Sequence, residues 1–257
     1  MQHYILNTSD LAIGNWTDEY HFSLNTDAVH VYLIEIDTQH KYKDLLTSLL
    51  DKVELERLSR FKKTADQLRY IYAHGALRIL CGKYLQQPAN TILFSETINK
   101  KPCIEICFGN LFFNLSHSGN KIVIAFSTQS EVGADIEQIR PDLPIEDFTE
   151  RNYSENEVNA INNSNTTEKY SLFFKYWSRK EAWLKAVGTG IFNNLKAVDT
   201  ALEKNQITSE QYIDGHFDDN FYCYSFSIED YRASIVINKK PDQLSFINFT
   251  FDKLLKT

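Results

Sequence analysis

Along Val29–Asp37 (VHVYLIEID) apolar and polar positions alternate, with β-branched residues among the apolar ones, so the pattern predicts a strand. The pattern then turns helical over Tyr42–Arg60, and a second helix is expected over Ala65–Leu85, rich in Leu, Ala and Arg. Thr91–Ser95 precedes the turn residues Asn99-Lys100-Lys101-Pro102. Leu111–Leu115 and Ile122–Ser127 are apolar runs of strand length flanking Ser116-His117-Ser118-Gly119-Asn120, which reads as a polar, glycine-bearing loop. Gly133-Ala134-Asp135-Ile136-Glu137 reads as another short strand.

From 140 to 168 the chain is polar, with Pro141, Pro144 and the Asn/Thr-rich Asn162–Thr167. Within it, Ser154-Glu155-Asn156-Glu157 fits a capping box ahead of Val158 and Ile161, so a short helix starts there. Thr167–Val187 carries the strongest helical pattern of the chain. Beyond Gly188 and Gly190, Phe221–Ile228 and Tyr231–Asn238 read as a hairpin. A long helix and several strands in each half predict an α+β protein whose halves meet near residue 130.

The chain has 257 residues, 43% apolar and 24% charged, which is ordinary for a globular protein and enough for two cores. A net charge of −7 argues against bulk-charge attraction to nucleic acid or an anionic membrane, so an anionic ligand needs a local cluster of Lys and Arg. No apolar run is long enough to span a membrane and the start lacks a signal-peptide pattern, so a cytoplasmic location is expected. Cys81, Cys103, Cys107 and Cys223 do not suggest a disulfide scaffold, and Cys103/Cys107 lacks a second Cys/His pair for zinc.

Candidate chemistry concentrates in two places. On a strand, Asp135 and Glu137 point to one side, and Gly133 leaves room on that side. Two like charges there are costly unless they share a cation or a proton, although a solvated strand face is the ordinary alternative. On the helix, Glu181 follows Phe173 and Trp177 at helical spacing, on the apolar stripe that continues to Leu184, with Lys185 one turn further. A carboxylate on that stripe needs a partner; an intrahelical Glu181–Lys185 ion pair and a metal both remain open. His117, between two serines, is either a surface hydrogen-bonding residue or part of a phosphate nest. Lys101, Arg57, Arg60, Lys62, Lys63 and Arg69 form the richest supply of cations.

Asn114-Leu115-Ser116-His117-Ser118, Gly133-Ala134-Asp135-Ile136-Glu137 and Trp177-Ser178-Arg179-Lys180-Glu181-Ala182-Trp183-Leu184-Lys185 together resemble the 4'-phosphopantetheinyl transferases of the surfactin-synthetase-activating class. Arg60-Phe61 with Arg69, and Lys101-Pro102, add weaker matches. The resemblance implies two similar α+β subdomains, 1–128 and 129–257, related by a pseudo-twofold axis, with coenzyme A in the cleft between them. It implies a Mg²⁺-dependent transfer of 4'-phosphopantetheine to a serine of an apo acyl or peptidyl carrier protein. Asp135, Glu137 and Glu181 would be the metal ligands. Lys180 and Lys185 would contact the pyrophosphate, and Arg69, Lys101, Ser116 and His117 the nucleotide with its 3'-phosphate. Glu181 is the expected base.

Two departures stand out: Ala134 replaces a bulkier aliphatic, and Glu54 occupies a position where the family can carry lysine. The competing readings are a Mg²⁺-dependent hydrolase or transferase of nucleotide diphosphates and a non-catalytic module binding coenzyme A or a carrier. The helix after Ser154, through Val158 and Ile161, is the expected carrier-docking face. With both halves of the cleft on one chain, a monomer is expected.

Overall fold

The computed structural model describes residues 2–12, 16–23, 27–37, 40–105, 111–188, 194–209 and 220–254; Cys107 and Gly190 lie outside them. In chain order, the elements up to residue 127 are β1 (Gln2–Asp10), β2 (Ala28–Glu35), α1 (Lys43–Leu49), α2 (Lys52–Leu58), α3 (Thr64–Leu85), β3 (Phe94–Glu96), β4 (Pro102–Ile104), β5 (Phe112–Ser118) and β6 (Lys121–Ser127). After it come β7 (Val132–Gln138), α4 (Glu146–Asn152), α5 (Glu155–Asn162), α6 (Thr166–Val187), β8 (Lys204–Ser209), β9 (Asn220–Ile228), β10 (Tyr231–Ile237), β11 (Gln243–Phe249) and α7 (Phe251–Leu254).

The same topology occurs twice. β2, the 22-residue α3 and the β5–β6 hairpin form one unit; β7, the 22-residue α6 and the β9–β10 hairpin form the other. In each, the leading strand pairs antiparallel with the second strand of the hairpin, β2 with β6 and β7 with β10. A cut between 128 and 129 separates these units but not the sheets. β1 pairs with β8 and β9 in the second sheet, ordered β7-β10-β9-β1-β8, and β11 pairs with β2 in the first, ordered β11-β2-β6-β5. Each end of the described chain therefore completes the sheet of the opposite unit.

Four layers result, and strand periodicity assigns their faces. Ile122, Ile124 and Phe126 of β6 join Tyr32 and Ile34 of β2 under α1 and α3. Val123 and Ala125, pointing the other way, join Val29 and Val31 against Ala134 and Ile136 of β7 and Ala233 and Ile235 of β10, the seam between the sheets. β6 is buried at every position, which is why its sequence is nearly continuously apolar. On the outer face of the second sheet, Ala182, Trp183 and Ala186 of α6 cover Tyr4, Phe221 and Val236. The first core also holds a polar group: His30 Nδ1 lies 2.6 Å from the Tyr84 hydroxyl, itself 2.7 Å from that of Tyr32.

Helix boundaries follow local chemistry. α5 begins at the capping box expected from Ser154 and Glu157. α6 begins where the Asn165 side chain accepts from the Glu168 N–H, and it ends at Gly188, whose φ of 74° is the left-handed conformation glycine adopts without strain. The single helix expected over Tyr42–Arg60 is two. Leu50 is extended (ψ 141°), and Asp51 caps a new helix in a reciprocal box with Glu54. The expected loop Ser116–Asn120 is mostly strand: Ser116, His117 and Ser118 pair with Val123, Ile122 and Lys121, leaving Gly119-Asn120 as the turn. A nest of turn N–H groups around His117 is therefore not present. Among the described residues no helix is long and apolar enough to cross a membrane.

Candidate active site

Gly133 determines how the site is assembled. A Cβ there would stand 1.9 Å from the Ala182 carbonyl oxygen and 2.5 Å from the Ala186 nitrogen. The room that glycine leaves on the carboxylate face of β7 is filled by the backbone of α6. That contact brings Glu181 and Lys185, each next in sequence to one of the touching alanines, onto the face that carries Asp135 and Glu137.

Asp135 is buried, 3% exposed. Its Oδ1 accepts from Lys185 Nζ at 2.7 Å and from Ser116 Oγ at 2.9 Å. Its Oδ2 is buried with no hydrogen-bond partner among the described residues. Burial, and then repulsion from Asp135, push the Glu137 carboxyl up to about 7; its Oε2 accepts from Ser118 Oγ at 3.1 Å. Burial likewise raises Glu181, with Asp135 adding to the rise and Lys185 opposing it. Lys185 pairs with Asp135 across the strand–helix contact, not with Glu181 along the helix, and also donates to Ser116 Oγ and the Ala134 carbonyl, both at 3.1 Å.

Two of these partners, Ser116 and Ser118, come from β5, whose edge runs beside that of β7. Asn114 Oδ1 accepts from the Ala134 N–H at 2.9 Å, and Ser118 Oγ accepts from the Gln138 N–H at 3.1 Å. Side chains at 114, 116 and 118, on one side of β5, thus stitch the two sheets together and orient both carboxylates. Asn114 and Ser118 were not among the expected site residues. Their signal was the period of two in Asn114-Leu115-Ser116-His117-Ser118, obscured because His117, on the opposite side, is also polar.

Among the described residues no three His, Cys, Asp or Glu side chains already close around one point. The donor set nonetheless fits a hard divalent cation. Asp135, Glu137 and Glu181 offer only carboxylate oxygens, two of them (Glu137 and Glu181) are raised in pKa first by burial and then by the charge of Asp135, and Asp135 Oδ2 lacks a partner among the described residues.

The other expected residues divide between two cavities. Arg69 and His117 line one of about 420 Å³ with Phe61, Gln138 and Arg140, and Arg69 also pairs with Asp66. Lys101, Glu181 and Lys185 line another of about 240 Å³. Within it Lys101 is committed: it pairs with Glu131 and donates to the Val132 carbonyl at 3.2 Å.

Lys180 is corrected. It is fully buried, paired with Glu157 Oε2 at 2.8 Å and donating to the Leu195 carbonyl at 2.8 Å. Glu157 in turn accepts from the Thr200 N–H and hydroxyl, so this pair ties α5, α6 and the 195–200 segment together and does not reach a pyrophosphate. Adjacent helical residues lie about 100° apart, so the turn that aims Glu181 into the cleft aims Lys180 away from it. Ile161, expected on a docking face, is 1% exposed and packs with Tyr153 and Phe173 in the core beneath α5.

Three carboxylates and a lysine at the meeting edge of two sheets are equipment for metal-assisted chemistry at a phosphate ester. Residues 131–236 match the 4'-phosphopantetheinyl transferase superfamily, and residues 37–129 match the family described as 4'-phosphopantetheinyl transferase, N-terminal. The 4'-phosphopantetheinyl transferase HetI of Nostoc sp. is 32% identical over 182 residues, 70% of this chain and 76% of that protein. The 4'-phosphopantetheinyl transferase Sfp of Bacillus subtilis is 28% identical over 169 residues, 66% and 74% of the two chains. A third relative, the L-aminoadipate-semialdehyde dehydrogenase-phosphopantetheinyl transferase of Xenopus laevis, is 30% identical over 172 residues, 61% of this chain and 55% of its own. The chain belongs to the 4'-phosphopantetheinyl transferase superfamily.

Proposed function

We propose that this chain transfers the 4'-phosphopantetheine arm of coenzyme A to a serine hydroxyl of an apo acyl or peptidyl carrier protein. A bond forms between the serine oxygen and the phosphorus bearing the pantetheine arm, and the diphosphate bridge to the adenosine side breaks. Adenosine 3',5'-bisphosphate leaves. The observation that carries the reading is the convergence of Asp135, Glu137, Glu181 and Lys185, with Asp135 Oδ2 buried and unpartnered.

Such a transfer asks for positioning and charge neutralisation more than for covalent chemistry by the protein. A magnesium ion held by Asp135, Glu137 and Glu181 would supply Lewis-acid neutralisation at the diphosphate. Lys185, whose side chain is 29% exposed beside Asp135, is the cation available to the departing phosphate. Glu181 accepts the serine proton as it attacks. Ser116 and Ser118 keep the strand carboxylates oriented, while Arg69 and His117 offer donors to the coenzyme's phosphates.

The test is to incubate the protein with coenzyme A, Mg²⁺ and an apo carrier, then weigh the carrier. A gain of one phosphopantetheine group, lost in Asp135→Ala, is expected. Breakdown of coenzyme A with no change in the carrier would point to a nucleotide-diphosphate hydrolase. Binding without any covalent product would point to a non-catalytic module.

A further inference from the structure

The β3–β4 hairpin is a thinly supported wall of the reacting groove. Its strands pair only with each other among the described residues, and a lone two-stranded ribbon is marginal in water. The base is rooted in the first core, where Ile92 and Ile104 are buried and Phe94 packs on Phe113 with centroids 5.6 Å apart. The tip closes on itself: the Lys100 N–H donates to the Thr97 carbonyl at 2.8 Å, and the Thr97 N–H to the Lys101 carbonyl at 2.9 Å. Yet residues 99–102 of this tip line the groove of about 240 Å³ together with Glu181, Leu184 and Lys185 of α6.

Outside the hairpin, the tip's polar attachment among the described residues runs through Lys101. Its ammonium pairs with Glu131, the residue just ahead of β7, and donates to the Val132 carbonyl at 3.2 Å. Its stem passes Gly188 at the end of α6, where an added Cβ would lie 3.8 Å from Lys101 Cδ. One side chain thus links the hairpin, the start of β7 and the end of α6. That side chain is only 9% exposed. Burial lowers the Lys101 pKa while the Glu131 charge and hydrogen bond oppose the shift, so the ammonium depends on Glu131 to stay charged where it lies. Without the carboxylate, a buried cation left with one carbonyl must move toward water, and the tip moves with it. A lysine compensated in this way adds little attraction for an anion, but it can hold a wall. Neither Glu131 nor Lys101 bonds to Asp135, Glu137, Glu181 or Lys185 among the described residues.

We propose that Glu131 is a positioning residue: through Lys101 it clasps the tip of the β3–β4 hairpin to β7 and so fixes one wall of the groove that receives coenzyme A. This rests on the transferase reading. Lys101 then serves as the bridge of the clasp, not as a direct contact to the coenzyme's phosphates. Because the clasp bonds to none of the reacting carboxylates, it sets affinity for coenzyme A and leaves the rate of the bound complex alone.

Hydrogen–deuterium exchange of the full chain, read over residues 94–104, reports the hairpin without any ligand. Glu131→Ala should speed exchange there about fivefold and leave the β9–β10 hairpin unchanged. Isothermal titration should show coenzyme A bound about fivefold more weakly, while kcat for carrier modification stays within about twofold of wild type. Lys101→Met, which keeps the stem over Gly188, should do the same. The double variant should lose no more than either single one, since each residue acts through the other. Thermal melts report whether each variant is folded. Unchanged exchange in folded Glu131→Ala, or a kcat that falls as far as the affinity, would overturn the assignment. So would additive losses in the double variant, which make Lys101 a direct contact to the coenzyme. A clasp that behaves as expected in a wild-type chain that leaves every apo carrier unmodified would refute the transferase reading alone.

Discussion

Substituting Gly133 by alanine tests whether the strand–helix contact holds the site together. The added methyl carbon would stand 1.9 Å from the Ala182 carbonyl oxygen, about 1.5 Å short of the 3.4 Å at which ordinary contact begins. Both nearest obstacles are backbone atoms of α6, so no rotamer change relieves the clash; the helix itself must lift. Lifting opens gaps where Trp183 and Ala186 cover Tyr4 and Phe221. Overpacking of this kind costs about 1–3 kcal/mol, which outweighs the roughly 0.4–1 kcal/mol that Gly→Ala gains by restricting the unfolded chain. A net loss of about 1–2 kcal/mol is expected in urea unfolding. The effect on chemistry should be larger. Lys185 bridges to Asp135 at 2.7 Å, and displacement of catalytic groups by about 1 Å can cost on the order of a hundredfold in rate. The assay is the initial rate of carrier mass gain at saturating coenzyme A. Adding Ala182→Gly should not rescue the rate, because the clash is with a carbonyl that glycine keeps. A Gly133→Ala chain within threefold of the wild-type rate would refute the account of how α6 delivers Glu181 and Lys185.

Lys180→Met leaves Glu157 charged and buried without its cation, so unfolding in urea should show a loss of about 3–5 kcal/mol. Binding of adenosine 3',5'-bisphosphate by the folded fraction should be unchanged; a folded variant of normal stability that has lost phosphate affinity would restore Lys180 to the site. The His30 imidazole is pushed down to about 4, first by burial and then by His21. Below its ordinary 6.5 the unfolded chain takes up a proton that the folded one refuses. The contribution is therefore full above about 6.5 and is lost as pH falls toward about 4, by roughly 3 kcal/mol in total. The stability difference between wild type and His30→Gln should follow that window, and a difference independent of pH would remove His30 from the ledger.

Much of this architecture was legible because its signals are local. The helical period of α6, the capping box at Ser154 and the hairpin alternation of β9 and β10 need no information from elsewhere in the chain. So too with Asp135 and Glu137, whose common side follows from strand geometry alone. What escaped depends on contacts distant in sequence. Gly133 looked like open space, because nothing local says that a helix some fifty residues on will occupy it. Lys180 and Lys185 look alike in a motif, and only the helical phase relative to a buried Glu157 separates them. Ser116 and Ser118 read as loop because polar residues filled both sides of β5, although one side faces the other sheet's carboxylates. The break at Leu50-Asp51 was local, an Asp-x-x-Glu box hidden inside an otherwise helical run.

The exchange of β1 and β11 fixes an order of events. A ribosome producing this chain releases α3, β5 and β6 long before Gln243–Phe249, the strand that completes their sheet against β2. β1 precedes its neighbours β8 and β9 by some two hundred residues, and they are made only from Lys204 onward. The second sheet waits for β8, β9 and β10 and the first for β11, so the seam carrying Asp135 and Lys185 must await strands distant in sequence from both. The two units are therefore not independent modules to be cut apart at residue 128. A fragment lacking either terminal strand leaves one sheet with an unsatisfied edge and its apolar face open to aggregation.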